Sequence, residues 1–76
     1  MDATEILRRI MQKEGVTGVD LSKRIGRSKH YIGSKLSRKN NMRANTFAQI
    51  CDAMDYDVIA RSRYDGAEFF LSPLED

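Results

Sequence analysis

Apolar residues recur at helical spacing from the N-terminus to Met54 and alternate with polar ones beyond it. Ala3, Ile6, Leu7, Ile10 and Met11 lie at i, i+3, i+4, i+7 and i+8, a single stripe on one face of a helix. Asp2 or Thr4 can cap its start, and Gly15 is a natural stop behind Lys13 and Glu14, so the spacing predicts a first helix over 2–14. Thr17-Gly18-Val19-Asp20 has the form of a capping box. The Thr17 hydroxyl is expected to accept from the Asp20 backbone, with the Asp20 carboxylate reaching back in place of the usual Glu. Leu21 and Ile25 face inward from the short second helix that this box opens, 18–25, and Gly26 suits a left-handed stop.

Ser28 can cap a third helix, 29–38. Ile32 and Leu36 point inward with Tyr31 beside them as a core-edge residue, while Lys29, His30, Gly33, Ser34 and Ser37 make the opposite face. Asn45 can cap a fourth helix, 46–54, whose Phe47, Ile50, Cys51 and Met54 repeat the apolar stripe. Met11, Met42 and Met54 read as core filler. No proline precedes Pro73, so nothing breaks these helices from inside. After Asp57 the period is two. Asp65-Gly66 between β-prone runs predicts a hairpin with a two-residue turn, pairing Tyr64 with Ala67 and Arg63 with Glu68. One face then carries Val58, Ala60, Phe69 and Leu71, the other Ile59 and Phe70, and Pro73 ends the second strand.

Seventy-six residues allow one small core, burying roughly 60% of the unfolded surface, which excludes a deep two-lobed active site. The sequence shows no Ser/His/Asp set, phosphate loop or metal-ligand cluster, so no enzyme, metal or cofactor is expected. Cys51 is the one cysteine; it sits on the apolar stripe as a small core hydrophobe, and an internal disulfide is excluded. No apolar run has the roughly 20 residues of a membrane span. The acidic start Met1-Asp2-Ala3-Thr4-Glu5 is unlike a secretory leader, so a cytoplasmic, nucleoid-associated protein is expected.

Charge distribution changes the picture more than net charge does. The chain carries +2 overall, yet residues 21–51 hold Lys23, Arg24, Arg27, Lys29, Lys35, Arg38, Lys39 and Arg43 with no acid at all. Residues 52–76 hold seven acids against Arg61 and Arg63. A basic centre between acidic ends points to a polyanion-binding face confined to one side. The plainer reading is a solvated basic surface.

The second and third helices are joined by Gly26-Arg27-Ser28, and the third is polar and basic outside, the description of a helix-turn-helix. Leu21-Ser22-Lys23-Arg24-Ile25-Gly26-Arg27-Ser28 through Tyr31-Ile32-Gly33 resembles the helix-turn-helix of phage Cro and cI repressors, the bacterial XRE family. Asn45-Thr46-Phe47-Ala48-Gln49-Ile50-Cys51-Asp52-Ala53-Met54 is similar to that family's fourth helix, and the shift at Tyr56–Ala60 into a strand is similar too. The resemblance covers roughly residues 3–60. It departs at Ser22 (usually Ala), at Arg27 and Lys35 (usually apolar), at Gly18 (often Gln) and at Asp55, which replaces a common Gly but tolerates its conformation.

The fold so implied is mostly α: a four-helix Cro/cI-type domain over 1–56, then a C-terminal β-hairpin over 57–76. The resemblance implies base reading from Ser28, Lys29, His30, Gly33 and Ser34. The chemistry agrees, because Lys can donate to guanine O6 and N7 and small residues let the backbone approach a groove. The plainer readings are a solvated charge for Lys29 and a surface imidazole for His30. Phosphate contacts are expected from Thr17 and Gly18, where helix N–H groups favour an anion. Lys23, Arg27, Lys35, Arg38, Lys39, Asn40, Asn41, Arg43, Asn45 and Thr46 are further phosphate candidates.

A lone two-stranded ribbon is marginal in water, so Val58, Ile59, Phe69, Phe70 and Leu71 are expected to make a homodimer contact. The function expected is a sequence-specific double-stranded-DNA-binding regulator, a repressor acting as a homodimer. The rivals are an antitoxin that binds its own operator and a toxin, and a protein-interaction module without DNA affinity.

Overall fold

One fully buried aliphatic side chain from each of four helices makes the centre of the core: Leu7, Leu21, Ile32 and Ile50. The structure, a computed structural model, describes residues 1–37 and 42–73. The helices are α1 (Ala3–Glu14), α2 (Gly18–Arg24), α3 (Tyr31–Ser37) and α4 (Ala44–Asp52). An antiparallel pair follows, β1 (Ile59–Arg61) and β2 (Glu68–Phe70). The chain is therefore a helical domain with a C-terminal hairpin. Among the described residues no helix is long and apolar enough to cross a membrane.

The caps explain where α1 and α2 begin and end. The Asp2 carboxylate accepts from the Glu5 N–H at 2.9 Å, and Gly15 closes α1 at φ 67° with its own N–H bonded back to Gln12 and Met11. The Thr17 hydroxyl accepts from Asp20 N–H at 3.1 Å, and Gly26 turns the chain at φ 74° after α2. The return bond expected from Asp20 is not made; its carboxylate is one methylene shorter than the Glu of a full box. Asp55 adopts φ 63°, the left-handed stop that a Gly usually fills.

Two helix starts differ from the sequence reading by two residues each. α3 starts at Tyr31, two residues later than 29, because Tyr31 N–H bonds the Ser28 carbonyl across a turn and the Ser28 hydroxyl caps nothing. Lys29 and His30 therefore stand in that turn and not in the helix. α4 starts at Ala44 behind Arg43, which makes no side-chain cap. Asn45, expected as the cap, is inside the first turn, and its Nδ2 donates 3.2 Å to the Ser72 carbonyl.

The hairpin register is shifted by two. Arg61 pairs with Glu68, Ala60 with Phe69 and Ile59 with Phe70. The Ser62 hydroxyl accepts from the N–H groups of Tyr64 and Asp65, and Gly66 N–H returns to Ser62 O at 3.0 Å. These bonds close a four-residue loop, 63–66, in which Asp65-Gly66 is only the second half. An even shift leaves every side chain on its expected face. Val58, among the residues expected in a dimer contact, is half-buried and packs against the helical core of its own chain.

Three side chains brace the helices. Ser22 is fully buried; its hydroxyl donates to Gly18 O at 2.7 Å and accepts from Ile32 N–H at 3.0 Å. Arg8 donates to Leu36 O and Arg24 to Ala53 O, each a cation on the last carbonyls of another helix. Tyr56 donates 2.7 Å to Glu14, and Lys13 bonds both. Cys51 is 2% exposed, and burial pushes its thiol up to about 11.

Candidate nucleic-acid interface

A shallow groove of about 580 Å³ runs between the start of α2 and the outer face of α3. Thr17, Gly18 and Val19 form one wall; Lys29, His30, Gly33, Ser34 and Ser37 form the other. The walls stand in this relation because of the Ser22 clamp. One hydroxyl holds the Gly18 carbonyl of α2 and the Ile32 N–H of α3, so the residues flanking those two atoms, Thr17 and Val19 on one side and Gly33 on the other, face each other. Gly18 sits close against Ile32, whose Cγ2 would lie 3.7 Å from a Cβ at that position.

The side chains of this groove are short, apart from Lys29 and His30. Lys29 and His30 are exposed, no acid lines the walls, and Gly33 and Ser34 leave the α3 backbone open to solvent. A Cβ built on Gly33 meets nothing within 4 Å, so its hydrogen is not required by packing inside the chain. The groove can accept a flat or ridged anionic surface against α3, with hydrogen-bond donors on both walls.

Most of the expected base-reading and the two helix-start positions thus converge. Ser28 does not line the groove; it is exposed and contributes only its carbonyl, to Tyr31 N–H. Val19 and Ser37 were not among the candidates. Ser37 lies four residues after Gly33 on the same face, and Val19 is 42% exposed, off the inward stripe of Leu21 and Ile25; both signals were present in the spacing.

The phosphate candidates scatter more widely. Lys23 and Arg43 are exposed on α2 and at the start of α4. Arg27 and Lys35 both lie on the Tyr31 ring, 5.0 Å and 5.3 Å from its centroid, so each is held by an aromatic face. Tyr31 itself packs on the core. Thr46 is half-buried, and the Asn45 amide is engaged by Ser72. Arg38, Lys39, Asn40 and Asn41 lie outside the described residues. Among the described residues no three His, Cys, Asp or Glu side chains gather as a metal-binding group.

The hairpin candidates divide by face. Ile59 is 39% exposed, Phe70 64% and Phe69 72%, whereas Leu71 is half-buried. Searches against family models, curated proteins and solved structures gave no match to this chain.

Proposed function

We propose that this chain is a sequence-specific double-stranded-DNA-binding regulator of the Cro/cI helix-turn-helix type, a cytoplasmic repressor that occupies a promoter as a homodimer. The observation that supports this most is the groove joining Thr17 and Gly18 to Lys29, His30, Gly33 and Ser34 without an intervening acid. In this reading α3 enters the major groove. Lys29 donates to a guanine edge, Ser34 serves either base type, and Val19 offers an apolar contact to a thymine methyl. Thr17 and Gly18 hold a phosphate beside the α2 backbone. Lys23, Arg27, Arg38, Lys39 and Arg43 add sequence-independent attraction that falls with salt, at a slope near −0.9 per phosphate engaged.

Selection of bound sequences from random duplex DNA tests the reading. Lys29→Ala is expected to relax preference at one base position, and Arg38→Ala to weaken all sequences about equally. Uniform weakening by both removes Lys29 as a reader. Loss of all DNA affinity at low salt in the unaltered protein removes the reading itself. The exposed phenylalanines favour one second reading, an antitoxin whose hairpin also grips a toxin encoded beside it.

A further inference from the structure

A second groove, about 370 Å³ and lined mainly by apolar side chains, lies between α1, α4 and the root of the hairpin, and shares no residue with the first. Ile6, Ile10 and Phe47 line its helical side, and Val58 and Ile59 carry it onto β1. The first four are half-buried, so packing within the chain covers only part of each. Ile10, Phe47 and Val58 pack against the buried core, whereas Ile6 lies outside that cluster.

The charges of the two grooves are opposite. The first has cations and no acid; this one has an acid and no cation. Asp57 is exposed and is the one charged side chain in the lining among the described residues. The basic residues that flank the groove on α1 are already engaged. Arg9, three residues after Ile6, pairs with Glu5 at 3.1 Å, and Lys13, three after Ile10, pairs with Glu14 at 3.1 Å. Those are the ion pairs among the described residues, and Asp57 is in neither. The other polar groups of the lining add no charge. The Tyr56 hydroxyl donates to Glu14 and accepts from Lys13, so Tyr56 offers the groove its ring. The Cys51 thiol, pushed up to about 11 by burial, is neutral at pH 7.

An apolar hollow with one unpaired carboxylate in its lining is complementary to a molecule with an apolar body and one ammonium. We infer that this groove binds a small arylalkyl amine, its ring against Ile6, Ile10 and Phe47 and its ammonium on Asp57. The volume favours a small ligand, since it stands at the low end of the roughly 300–1,000 Å³ that small-molecule sites occupy. The rings of Phe47 and Tyr56 favour an aromatic body over an aliphatic one.

This site is independent of DNA binding, and its test uses the full chain without DNA. Two-dimensional NMR and calorimetry at pH 7 compare three probes with one ring and different tails: 2-phenylethylamine, 2-phenylethanol and phenylacetate. The amine is expected to give saturable shifts centred on Ile6, Ile10, Phe47 and Val58. It should bind about five-fold tighter than the alcohol, the effect of one partly screened charge pair, and phenylacetate should bind more weakly than either. Asp57→Asn should bring the amine down to the level of the alcohol and leave the alcohol unchanged. Ile6→Trp, which fills the hollow from outside the core cluster, should abolish binding of both, with circular dichroism showing that the helices persist. Phe69→Ala, outside the groove, should change nothing. Absence of a saturable shift with the amine overturns the inference. So does equal affinity for amine and alcohol, a preference that survives Asp57→Asn, or a folded Ile6→Trp variant that still binds. Loss of DNA affinity in the unaltered protein would remove the DNA reading and leave this site standing.

Discussion

The helical body and the hairpin solve opposite problems with the same kinds of residue. In the body, Leu7, Leu21, Ile32 and Ile50 are fully enclosed, and Ser22, the one buried polar side chain among the described residues, has both a donor and an acceptor satisfied. In the hairpin all six strand residues are exposed, two phenylalanines among them. The described chain is 41 Å long but only about 25 Å across, too long for a single ball of this size. The difference teaches where stability and interaction are divided. The body contains its own reasons for folding, while the hairpin is held by its loop and its root and offers its apolar faces outward.

Substitutions break this contrast in graded ways. The largest effect is expected in the core: Leu7→Ala should cost about 2–5 kcal/mol, enough to unfold much of so small a domain, whereas Phe69→Ala should cost under about 0.5 kcal/mol. Urea unfolding of the two variants measures the gap, and similar losses would mean that the hairpin is part of the core. Ser22→Ala comes next. It leaves the buried Ile32 N–H without an acceptor, at about 1–3 kcal/mol, and chemical denaturation should show it despite the small change in volume.

Gly33→Ala sharpens the contrast from the other side. Its new methyl meets nothing inside the chain, and Ala favours a helix over Gly, so the melting curve should gain about 0.5–1 kcal/mol. The same methyl projects at the groove and should weaken DNA binding. Gain of stability together with unchanged affinity would show that DNA does not approach α3 closely.

The smallest effect is in pH. Glu14 is held below its ordinary 4.5, first by the Tyr56 hydroxyl and then by Lys13; Asp65 is held below 3.8, first by the Ala67 N–H and then by Ser62. A carboxylate lowered on folding stabilises the fold above its unfolded value and loses that contribution as pH falls through the folded one. Lys13, raised above 10.5 by Tyr56 and Glu14, contributes below its unfolded value and loses it as pH rises beyond. Thermal unfolding should therefore be flat through neutral pH and decline slightly in acid. Glu14→Gln should flatten the part of that decline that belongs to the body, and Asp65→Asn the part that belongs to the hairpin loop.

Local signals carried much of this architecture, and long-range bonds account for what they missed. Asp2, Gly15, Thr17 and Gly26 act through neighbours three to five residues away, so α1 and α2 were legible from spacing alone. Asn45 looks like a cap by the same rule, but its amide is taken by Ser72, 27 residues on, which no local pattern announces. Asp65-Gly66 looks like a complete turn, yet the Ser62 hydroxyl gathers the loop from two residues beyond the expected flank, Tyr64. In the candidate interface, Lys29, His30, Gly33 and Ser34 were readable as an outward face. Their meeting with Thr17 and Gly18 depends on a buried hydroxyl at position 22, where sequence suggests only a small side chain.

Asn45 also fastens the chain beyond β2 to the first turn of α4, while Val58 seats the other leg of the hairpin on the core. A mooring at each leg makes the ribbon a fin and not a streamer, so whatever grips its flat side inherits the tilt of the helices beneath. Two such fins clasped together would work like the pivot of a pair of callipers, fixing how far apart, and at what angle, two copies of the Lys29 surface are held.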